Sequence, residues 1–285
     1  MVSVDEWRMA GSFFVWRGHR IFFRVEGSGD ALLLIHGFPT ASWDWAALWP
    51  ALVKKYRVLT LDMIGFGLSA KPRDFPYSLM AQADLFGALL EQEKVTSYRM
   101  VAHDMGDSVA QELFARQRGD AKAKIVSACL LNGGLFPEAH HPLVMQRLLA
   151  SPLGPLVARV SSFGAFASAM KRIWGKKPAG DDELRAMWKL VSAENGLTVM
   201  PKLIGYLAER KLNRERWVDA VVNPPCPVRF IDGLLDPVAG ADTAARYREL
   251  VPAPDIVELP TVGHYPQVEA PDAVLAAVLE HFAAH

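Results

Sequence analysis

Short runs that are apolar at every position recur along this chain of 285 residues and constrain its fold most strongly. One of them, Ala31 to Ile35, ends directly in His36 and Gly37. A run without polar positions is typical of a strand buried on both faces of a parallel sheet. Helical patterns separate several of these runs, and a hairpin precedes them, which predicts an α/β fold with a mostly parallel, doubly wound sheet of eight strands. The predicted strands span residues 13–16, 20–25, 31–35, 57–62, 98–103, 125–131, 228–232 and 255–259, and predicted helices span 79–93, 107–118 and 271–282.

One long interval breaks the alternation of strand and helix. Residues 137–217 contain no buried-strand pattern, but they hold helix-like stretches rich in Leu, Met, Ala and Arg that prolines interrupt. We therefore expect a helical cap inserted after the sixth strand, above the carboxyl ends of the strands, where ligands bind in open α/β sheets. The expected division is a core of residues 1–136 and 218–285 and a cap of residues 137–217.

Composition excludes several classes of function. The 31 basic and 31 acidic residues give no formal net charge, which argues against nucleic acid or a membrane surface as the main partner. Two cysteines fit a reducing compartment, and neither a secretory signal nor a membrane span is evident in the sequence. Without ligand spacing for a metal or a phosphate-binding loop, we expect no metal and no cofactor. The composition indicates a cytoplasmic protein that acts on a small molecule. We expect a monomer or homodimer, and the Leu- and Met-rich insert predicts a hydrophobic substrate.

The strand at residues 98–103 leads into the motif with the clearest chemistry. Small residues, Ala102 and Gly106, flank Asp104 at the turn from this strand into a helix. This is the arrangement of a nucleophile elbow, with Asp where Ser usually stands. Ser108 also has small neighbours, but it would lie inside the helix. The alternative interpretation of Asp104 is a residue that only caps the helix.

Two further residues complete the order of a catalytic triad. Asp236 follows the penultimate strand and His264 follows the last one, so nucleophile, acid and histidine come in the order of an α/β-hydrolase triad. Asp232 competes as the acid, but it still lies on its strand. We expect Asp104, Asp236 and His264 to meet at one edge of the sheet.

The loop after the third strand is expected to bind the substrate beside the triad. It reads His36-Gly37-Phe38-Pro39, and the N–H groups of Phe38 and Met105 are the predicted donors of an oxyanion hole. His36 and Trp43 are further candidates for contact with the substrate, although packing is the simpler interpretation of Trp43.

These motifs resemble the α/β-hydrolase superfamily over nearly the whole chain. Within it they are most similar to epoxide hydrolases and haloalkane dehalogenases, which share an Asp nucleophile. The similarity rests on residues 36–39, 62–69 and 103–106. A finer resemblance, to the mesoderm-specific transcript group, rests on residues 103–107, 132–138 and 235–238.

The resemblance implies hydrolysis of a hydrophobic epoxide to a diol through an ester on Asp104. A free Asp has a pKa of about 3.9, so this carboxylate can attack carbon without a base. His264 would then activate water, and Tyr206 of the cap would protonate the opened ring. Epoxide hydrolases generally use two cap tyrosines, and residues 137–174 lack the first, so His140 or His141 is the candidate substitute.

Two alternative functions follow from departures from the family pattern. Haloalkane dehalogenation is the weaker enzymatic interpretation, because Met105 replaces the usual Trp and residues 105–110 hold no Arg of the kind that fluoroacetate dehalogenases use. A non-catalytic ligand-binding protein is the other alternative. It is favoured by the missing tyrosine and by Asp107, whose charge would raise the pKa of Asp104.

Overall fold

Eight strands form one sheet in the computed structural model, which describes residues 2–119 and 121–285. The strands are β1 (Ser12–Trp16), β2 (His19–Glu26), β3 (Ala31–Ile35), β4 (Arg57–Leu61), β5 (Ser97–His103), β6 (Lys124–Leu131), β7 (Val228–Gly233) and β8 (Asp255–Leu259). Their order across the sheet is β1-β2-β4-β3-β5-β6-β7-β8. Strand β2 pairs antiparallel with β1 and β4, and the other neighbouring strands pair in parallel. The predicted fold is confirmed, and the strand bounds differ by a residue or two at most.

Helices cover both faces of the sheet. Those of the core are α1 (Val4–Met9), α2 (Trp49–Leu52), α3 (Leu79–Gln92), α4 (Met105–Gln117), α12 (Ala241–Leu250), α13 (Pro266–Glu269) and α14 (Pro271–Ala284). Between β6 and β7 lie α5 (Val144–Leu149), α6 (Gly154–Val160), α7 (Phe163–Ile173), α8 (Asp181–Ser192), α9 (Met200–Leu203), α10 (Tyr206–Leu212) and α11 (Arg214–Val222). Short 3-10 helices span Ser42–Trp45, Pro137–Ala139 and Ala193–Val199. None of the helices in the described ranges combines the length and apolar composition needed to cross a bilayer.

The central strand β3 explains why its sequence is apolar throughout. Leu33 and Ile35 belong to the hydrophobic core on one side of the sheet, whereas Leu32 and Leu34 belong to the core on the other side. All four side chains are fully buried. Because successive side chains of a strand point to opposite faces, a strand covered on both faces needs apolar residues at every position.

Helices α5–α11 form the cap expected after the sixth strand, and the described part of this interval contains no strand. The proposed boundary at residue 217 falls within α11, which continues to Val222 and packs along α4 of the core. The division of the chain at residues 137 and 217 stays a prediction.

A buried carboxylate, Glu112 of α4, fastens this last cap helix to the core. Its side chain accepts hydrogen bonds from Trp217 Nε1 at 2.8 Å, Arg216 Nε at 2.8 Å and Arg116 Nε at 2.8 Å. Burial tends to raise the pKa of Glu112, but these donors outweigh burial and hold the pKa below its ordinary value of 4.5. Glu112 is therefore ionised at neutral pH and stabilises the junction of cap and core.

We predict that Glu112→Gln lowers the free energy of unfolding at pH 7 by about 1–3 kcal/mol, because a charged acceptor of three donors is lost. Since the folded pKa is depressed, the wild-type advantage exists above the ordinary Glu range and disappears as the pH falls through the folded value. Urea unfolding at several pH values measures this. Glu91→Gln, which removes an exposed pair with Lys122, is the matched control and should change stability little. Equal effects of the two substitutions would contradict the role of Glu112.

Candidate active site

Asp104 occupies a strained turn between β5 and α4. Its φ of 49° and ψ of −111° lie outside the regions that ordinary residues favour. A Cβ on Gly106 would lie 2.6 Å from the carbonyl oxygen of Ile35, and a Cβ on Gly37 would lie 2.7 Å from Cβ of Asp104. The crowded turn therefore requires glycine at position 106 and at position 37 of the neighbouring loop. The Asp104 side chain makes no capping hydrogen bond to α4, which contradicts the interpretation as a helix cap, and Ser108 lies inside that helix.

Two groups from separate loops lie next to the Asp104 carboxylate, and a third group holds one of them. The Phe38 N–H donates to Oδ2 at 2.9 Å, as expected of an oxyanion-hole donor. Nε2 of His264 lies 3.9 Å from Oδ1, and Nδ1 of His264 donates to Oδ2 of Asp236 at 2.7 Å. The structure thus brings together the nucleophile, base and acid that the sequence predicts.

Asp236 is held in place by more than His264. It accepts hydrogen bonds from the backbone N–H groups of Val238 and Ala239 and from Nδ2 of Asn132 at 3.1 Å. Asn132 also exchanges hydrogen bonds with the backbone of Gly233, so it ties β6 to the loop that carries the acid. Sequence reasoning quoted Asn132 only as part of a motif and missed this positioning role.

The competing acid, Asp232, does not contact His264. Its carboxylate is buried on β7 without a hydrogen-bond partner among the described residues. Burial and the nearby charge of Asp236 raise the pKa of Asp232 to about 8. An acid that is largely protonated at neutral pH could not orient the imidazole as Asp236 does.

His264 is charged in the resting site. Burial tends to lower the pKa of this imidazole, but the charge and hydrogen bond of Asp236, together with the charge of Asp104, raise it to about 9. His264 is consequently an imidazolium paired with two carboxylates at neutral pH. It can act as a base only after it has lost this proton. Loss of the Asp104 charge, which happens if Asp104 becomes an ester, lowers the pKa of His264 and favours that loss.

Arg210 of α10 reaches the nucleophile from the cap, although it is distant in sequence. Nη2 donates to the backbone oxygen of Asp104 at 3.0 Å and lies 3.8 Å from Oδ1, while Nε donates to Oγ of Ser108 at 2.6 Å. The Arg210 side chain is 3% exposed. Sequence reasoning looked for an arginine only at residues 105–110 and missed it. The i, i+4 spacing from Tyr206 is the one signal that could have placed Arg210 on the same helix face.

The pKa values of Asp104 and Asp107 shift in opposite directions. Burial tends to raise the pKa of Asp104, but the charges of His264 and Arg210 and the Phe38 hydrogen bond lower it below its ordinary value. Burial and the charge of Asp104 raise the pKa of Asp107 well above its ordinary value. The raised pKa of Asp107 favours its neutral form, which opposes the expected weakening of Asp104 by a second charge.

Tyr206, the expected ring-opening acid, lies beside Phe38 and Arg210. Its ring centroid is 5.8 Å from that of Phe38, and the Arg210 guanidinium lies 4.6 Å from the ring. The hydroxyl accepts a long hydrogen bond of 3.4 Å from Nε2 of Gln146, which faces the cavity under the cap. Burial and the charge of Asp104 raise the pKa of Tyr206, so the phenol keeps the proton that an acid must donate.

The two candidate substitutes for a second tyrosine differ in position. His141 lies at the surface, where Nε2 pairs with Asp242 at 2.8 Å. His140 is buried beside Arg210, since a Cβ on Gly134 would lie 2.4 Å from Nη1 of Arg210 and 2.8 Å from Cδ2 of His140. Nε2 of His140 has no partner among the described residues. Burial and the charge of Arg210 lower the pKa of His140 to about 3, so the ring is neutral.

A largely apolar cavity of about 90 Å³ lies between the cap and the triad. Phe38 and His264 line its core side, and Gln146, Phe166 and Trp188 line its cap side. In the described residues, no group of three or more His, Cys, Asp or Glu side chains is arranged to hold a metal ion. The cavity therefore offers an apolar substrate access to His264.

Three of the expected substrate contacts do not form part of this cavity wall. His36 is buried beneath the loop, where Nε2 accepts the Met63 N–H at 3.0 Å. Nε1 of Trp43 donates to the carbonyl of Val2, and its ring packs in the core, so both assignments to substrate binding are corrected to structural roles. Met105 lies in a small gap beside Tyr206, and its side chain does not face the main cavity. The backbone N–H of Met105 directly follows Asp104, so this group remains a candidate donor to the oxyanion.

The eight-stranded sheet, the helical cap and the turn that carries Asp104 occur together in one class of protein. The alpha/beta hydrolase family matches residues 32–277, and the chain belongs to this family.

Named relatives cover nearly the whole chain. Mesoderm-specific transcript homolog protein of Bos taurus is 38% identical and aligns with 97% of this chain and 87% of its own length. LipZ of Mycobacterium tuberculosis is 41% identical, with 97% of each chain covered. Haloalkane dehalogenase 2 of Mycobacterium tuberculosis is 29% identical over 92% of this chain and 91% of the relative. The resemblance to the mesoderm-specific transcript group is confirmed.

Solved structures share the architecture. An alpha/beta hydrolase fold protein from Burkholderia ambifaria superposes with a TM-score of 0.80 at 25% identity, covering 94% of this chain and 97% of the other. The epoxide hydrolase CorEH also reaches a TM-score of 0.80, at 18% identity, with 96% and 98% covered. At that identity the second likeness establishes the fold alone.

We predict that Arg210→Met raises the pKa of Asp104, because the substitution removes a buried positive charge. For any substrate that Asp104 attacks, the acid limb of the kcat/KM profile should move to higher pH, and kcat/KM at pH 7 should fall about tenfold or more. Arg210→Lys, which keeps a charge, should recover part of the loss. Arg214→Met removes an exposed arginine that pairs with Glu138 and serves as the control. A pH profile of Arg210→Met that superposes on the wild type would rule out this role.

We also predict that Asp104→Asn lowers the pKa of His264 below about 9, because the uncharged amide imitates the ester. An NMR titration of the imidazole measures this directly and requires no substrate. Asp107→Asn is the matched control, since the raised pKa of Asp107 favours its neutral form, and it should leave the His264 titration unchanged. An unaltered His264 pKa in Asp104→Asn would show that the two groups are not coupled.

Proposed function

We propose that this chain is an epoxide hydrolase that converts a small or medium hydrophobic epoxide to a vicinal diol through an ester on Asp104. One observation carries the proposal: an ionised carboxylate stands at the elbow, with an oxyanion donor on one oxygen and a His264–Asp236 pair behind the other. Carboxylates attack saturated carbon readily. Attack on an acyl carbon would give an anhydride, so ordinary ester cleavage fits this site less well.

The first step opens the ring. An Asp104 carboxylate oxygen attacks one epoxide carbon, the bond from that carbon to the epoxide oxygen breaks, and the oxygen leaves with the electron pair. Tyr206 supplies the proton that the alkoxide needs, because its buried phenol is fully protonated at neutral pH. Arg210, next to the Tyr206 ring, favours the phenolate that this proton transfer leaves.

The second step hydrolyses the ester. When Asp104 is esterified, the pKa of His264 falls, and the imidazolium gives its proton to the tyrosinate or to solvent. The neutral imidazole then takes a proton from water. The resulting hydroxide attacks Cγ of Asp104. The Phe38 N–H, which already binds Oδ2, stabilises the oxyanion. The bond from Cγ to the diol oxygen then breaks, the leaving alkoxide takes the proton of the added hydroxyl, and the diol is released while the Asp104 carboxylate retains an oxygen from water.

Haloalkane dehalogenation is the second candidate. It uses the same attack on carbon, and it is favoured by the relative named Haloalkane dehalogenase 2 and by the buried Arg210 near the nucleophile. A halide would leave in place of an alkoxide, so chloride or bromide release distinguishes the two reactions. The Met105 side chain offers no N–H donor to a halide, which disfavours this candidate.

We predict that in a single turnover in ¹⁸O-labelled water the diol contains no label. The oxygen that is added to the epoxide carbon is unlabelled because it comes from Asp104. The label should enter the protein and reach the diol only in later turnovers. A panel of aryl and alkyl epoxides and haloalkanes identifies the substrate, and mass spectrometry of the diol follows the label. Labelled diol in the first turnover would contradict covalent attack by Asp104.

A variant pair separates catalysis from simple binding. Asp104→Ala should lower kcat/KM by at least about a thousandfold, since it removes the nucleophile. Asp107→Asn alters a neighbouring neutral acid and should retain most of the activity. Tight binding of an apolar ligand without turnover in the wild type, with equal affinity in Asp104→Ala, would support a non-catalytic binding protein instead.

A further inference from the structure

The outer surface of the cap exposes an unusual concentration of aliphatic side chains. Five of the eleven large apolar side chains that are exposed among the described residues fall in α5 and α6 and the turn between them. They are Val144 at 68%, Leu148 at 39%, Leu153 at 59%, Leu156 at 60% and Val160 at 70% exposed. We call these five residues the cap patch.

The spacing of the cap patch gives each short helix one apolar outer face. Val144 and Leu148 are four residues apart on α5. Leu153, Leu156 and Val160 are three and four residues apart along α6 and the residue before it, so they share a face. Helices α5 and α6 also pack against each other, which brings the two faces together. Contiguous exposed apolar surface of this kind marks an interaction site more often than scattered single residues do.

The segment of sequence that contains the cap patch carries charge of one sign. Residues 139–180 contain six Lys and Arg side chains and no Asp or Glu, although the whole chain is balanced at 31 of each sign. All six basic residues, Arg147, Arg159, Lys171, Arg172, Lys176 and Lys177, are exposed. Of these, Lys171 has an ion-pair partner in the described part of the chain, Asp181 at 3.3 Å. This part of the cap is therefore positively charged, although the whole chain has no formal net charge.

This combination fits an anionic lipid surface better than a second copy of the chain. Exposed aliphatic residues bordered by Lys and Arg are the composition of helices that lie in a bilayer interface. Anionic headgroups attract each nearby basic residue. Two copies that met through this face would bring like charges together, which opposes association. The patch also lacks the exposed Trp and Tyr side chains that dominate protein–protein contacts.

We propose that the cap patch docks this protein onto the surface of an anionic bilayer, with the apolar faces of α5 and α6 entering the headgroup region. The inner side of α5 lines the cavity through Met145, Gln146 and Leu149. Docking thus places the cap side of the cavity next to the lipid phase, where apolar molecules concentrate.

Vesicle co-sedimentation of the full chain tests the proposal without any enzymatic assay, so its outcome is independent of the proposed reaction. Binding to phosphatidylcholine vesicles that contain phosphatidylglycerol should be at least about tenfold tighter than binding to phosphatidylcholine alone. Added salt should weaken it through screening. Arg147→Gln and Arg159→Gln should each weaken binding about fivefold, whereas Arg8→Gln and Arg73→Gln, at exposed positions elsewhere, should not.

The apolar contribution is tested by the double variant Leu153→Ser/Leu156→Ser, which should lose at least about tenfold in affinity for the anionic vesicles. These side chains are already exposed, so the variant should keep the wild-type melting temperature. Val15→Ser/Leu212→Ser, at exposed positions outside the patch, is the matched control. Absence of vesicle binding, or binding that the patch variant retains, would overturn the proposal. Sedimentation showing a dimer that the patch variant dissociates would overturn it in favour of self-association.

Discussion

The ionised state of one buried carboxylate is the constraint on which the active site depends. Asp104 is 1% exposed, and burial alone would favour its neutral form. His264, Arg210 and the Phe38 N–H reverse this preference, and each comes from a different part of the fold. The strained turn between β5 and α4 then keeps the carboxylate away from α4 and close to these groups. The sheet, the loops and the cap therefore cooperate to maintain a single negative charge.

In the mechanism that we propose, the same coupling gives a physical reason for the order of the two chemical steps. While Asp104 is charged, His264 holds a proton and cannot activate water. Once Asp104 is esterified, the imidazole loses a stabilising charge, and its pKa falls toward the range of a useful base. The pKa values of Asp232 and Asp107 are raised, which favours the neutral forms of these two acids beside the charged groups.

The fold could be predicted well because its signals are local. Runs such as Ala31–Ile35 are buried on both faces, and the burial of each residue follows from its position in the strand. Asp104, Asp236 and His264 could be predicted because each lies in the segment that follows a strand, and the carboxyl ends of parallel strands share one edge of the sheet.

The remaining parts of the site depend on packing between distant segments, which no local pattern encodes. Arg210 reaches the nucleophile from a cap helix more than one hundred positions away in sequence, and Asn132 connects two loops. His36 and Trp43 lie in a loop beside the site, but their side chains point into the core. The charge of the cap was likewise hidden in a balanced composition.

The most direct test of the central claim is to trap the covalent intermediate in a His264→Gln variant, in which Asp104 can attack but water is not activated. After incubation with a reactive epoxide, intact-mass and peptide mass spectrometry should find one epoxide mass added, located on Asp104. An unmodified protein that still turns over the epoxide, or an adduct on another residue, would contradict the account.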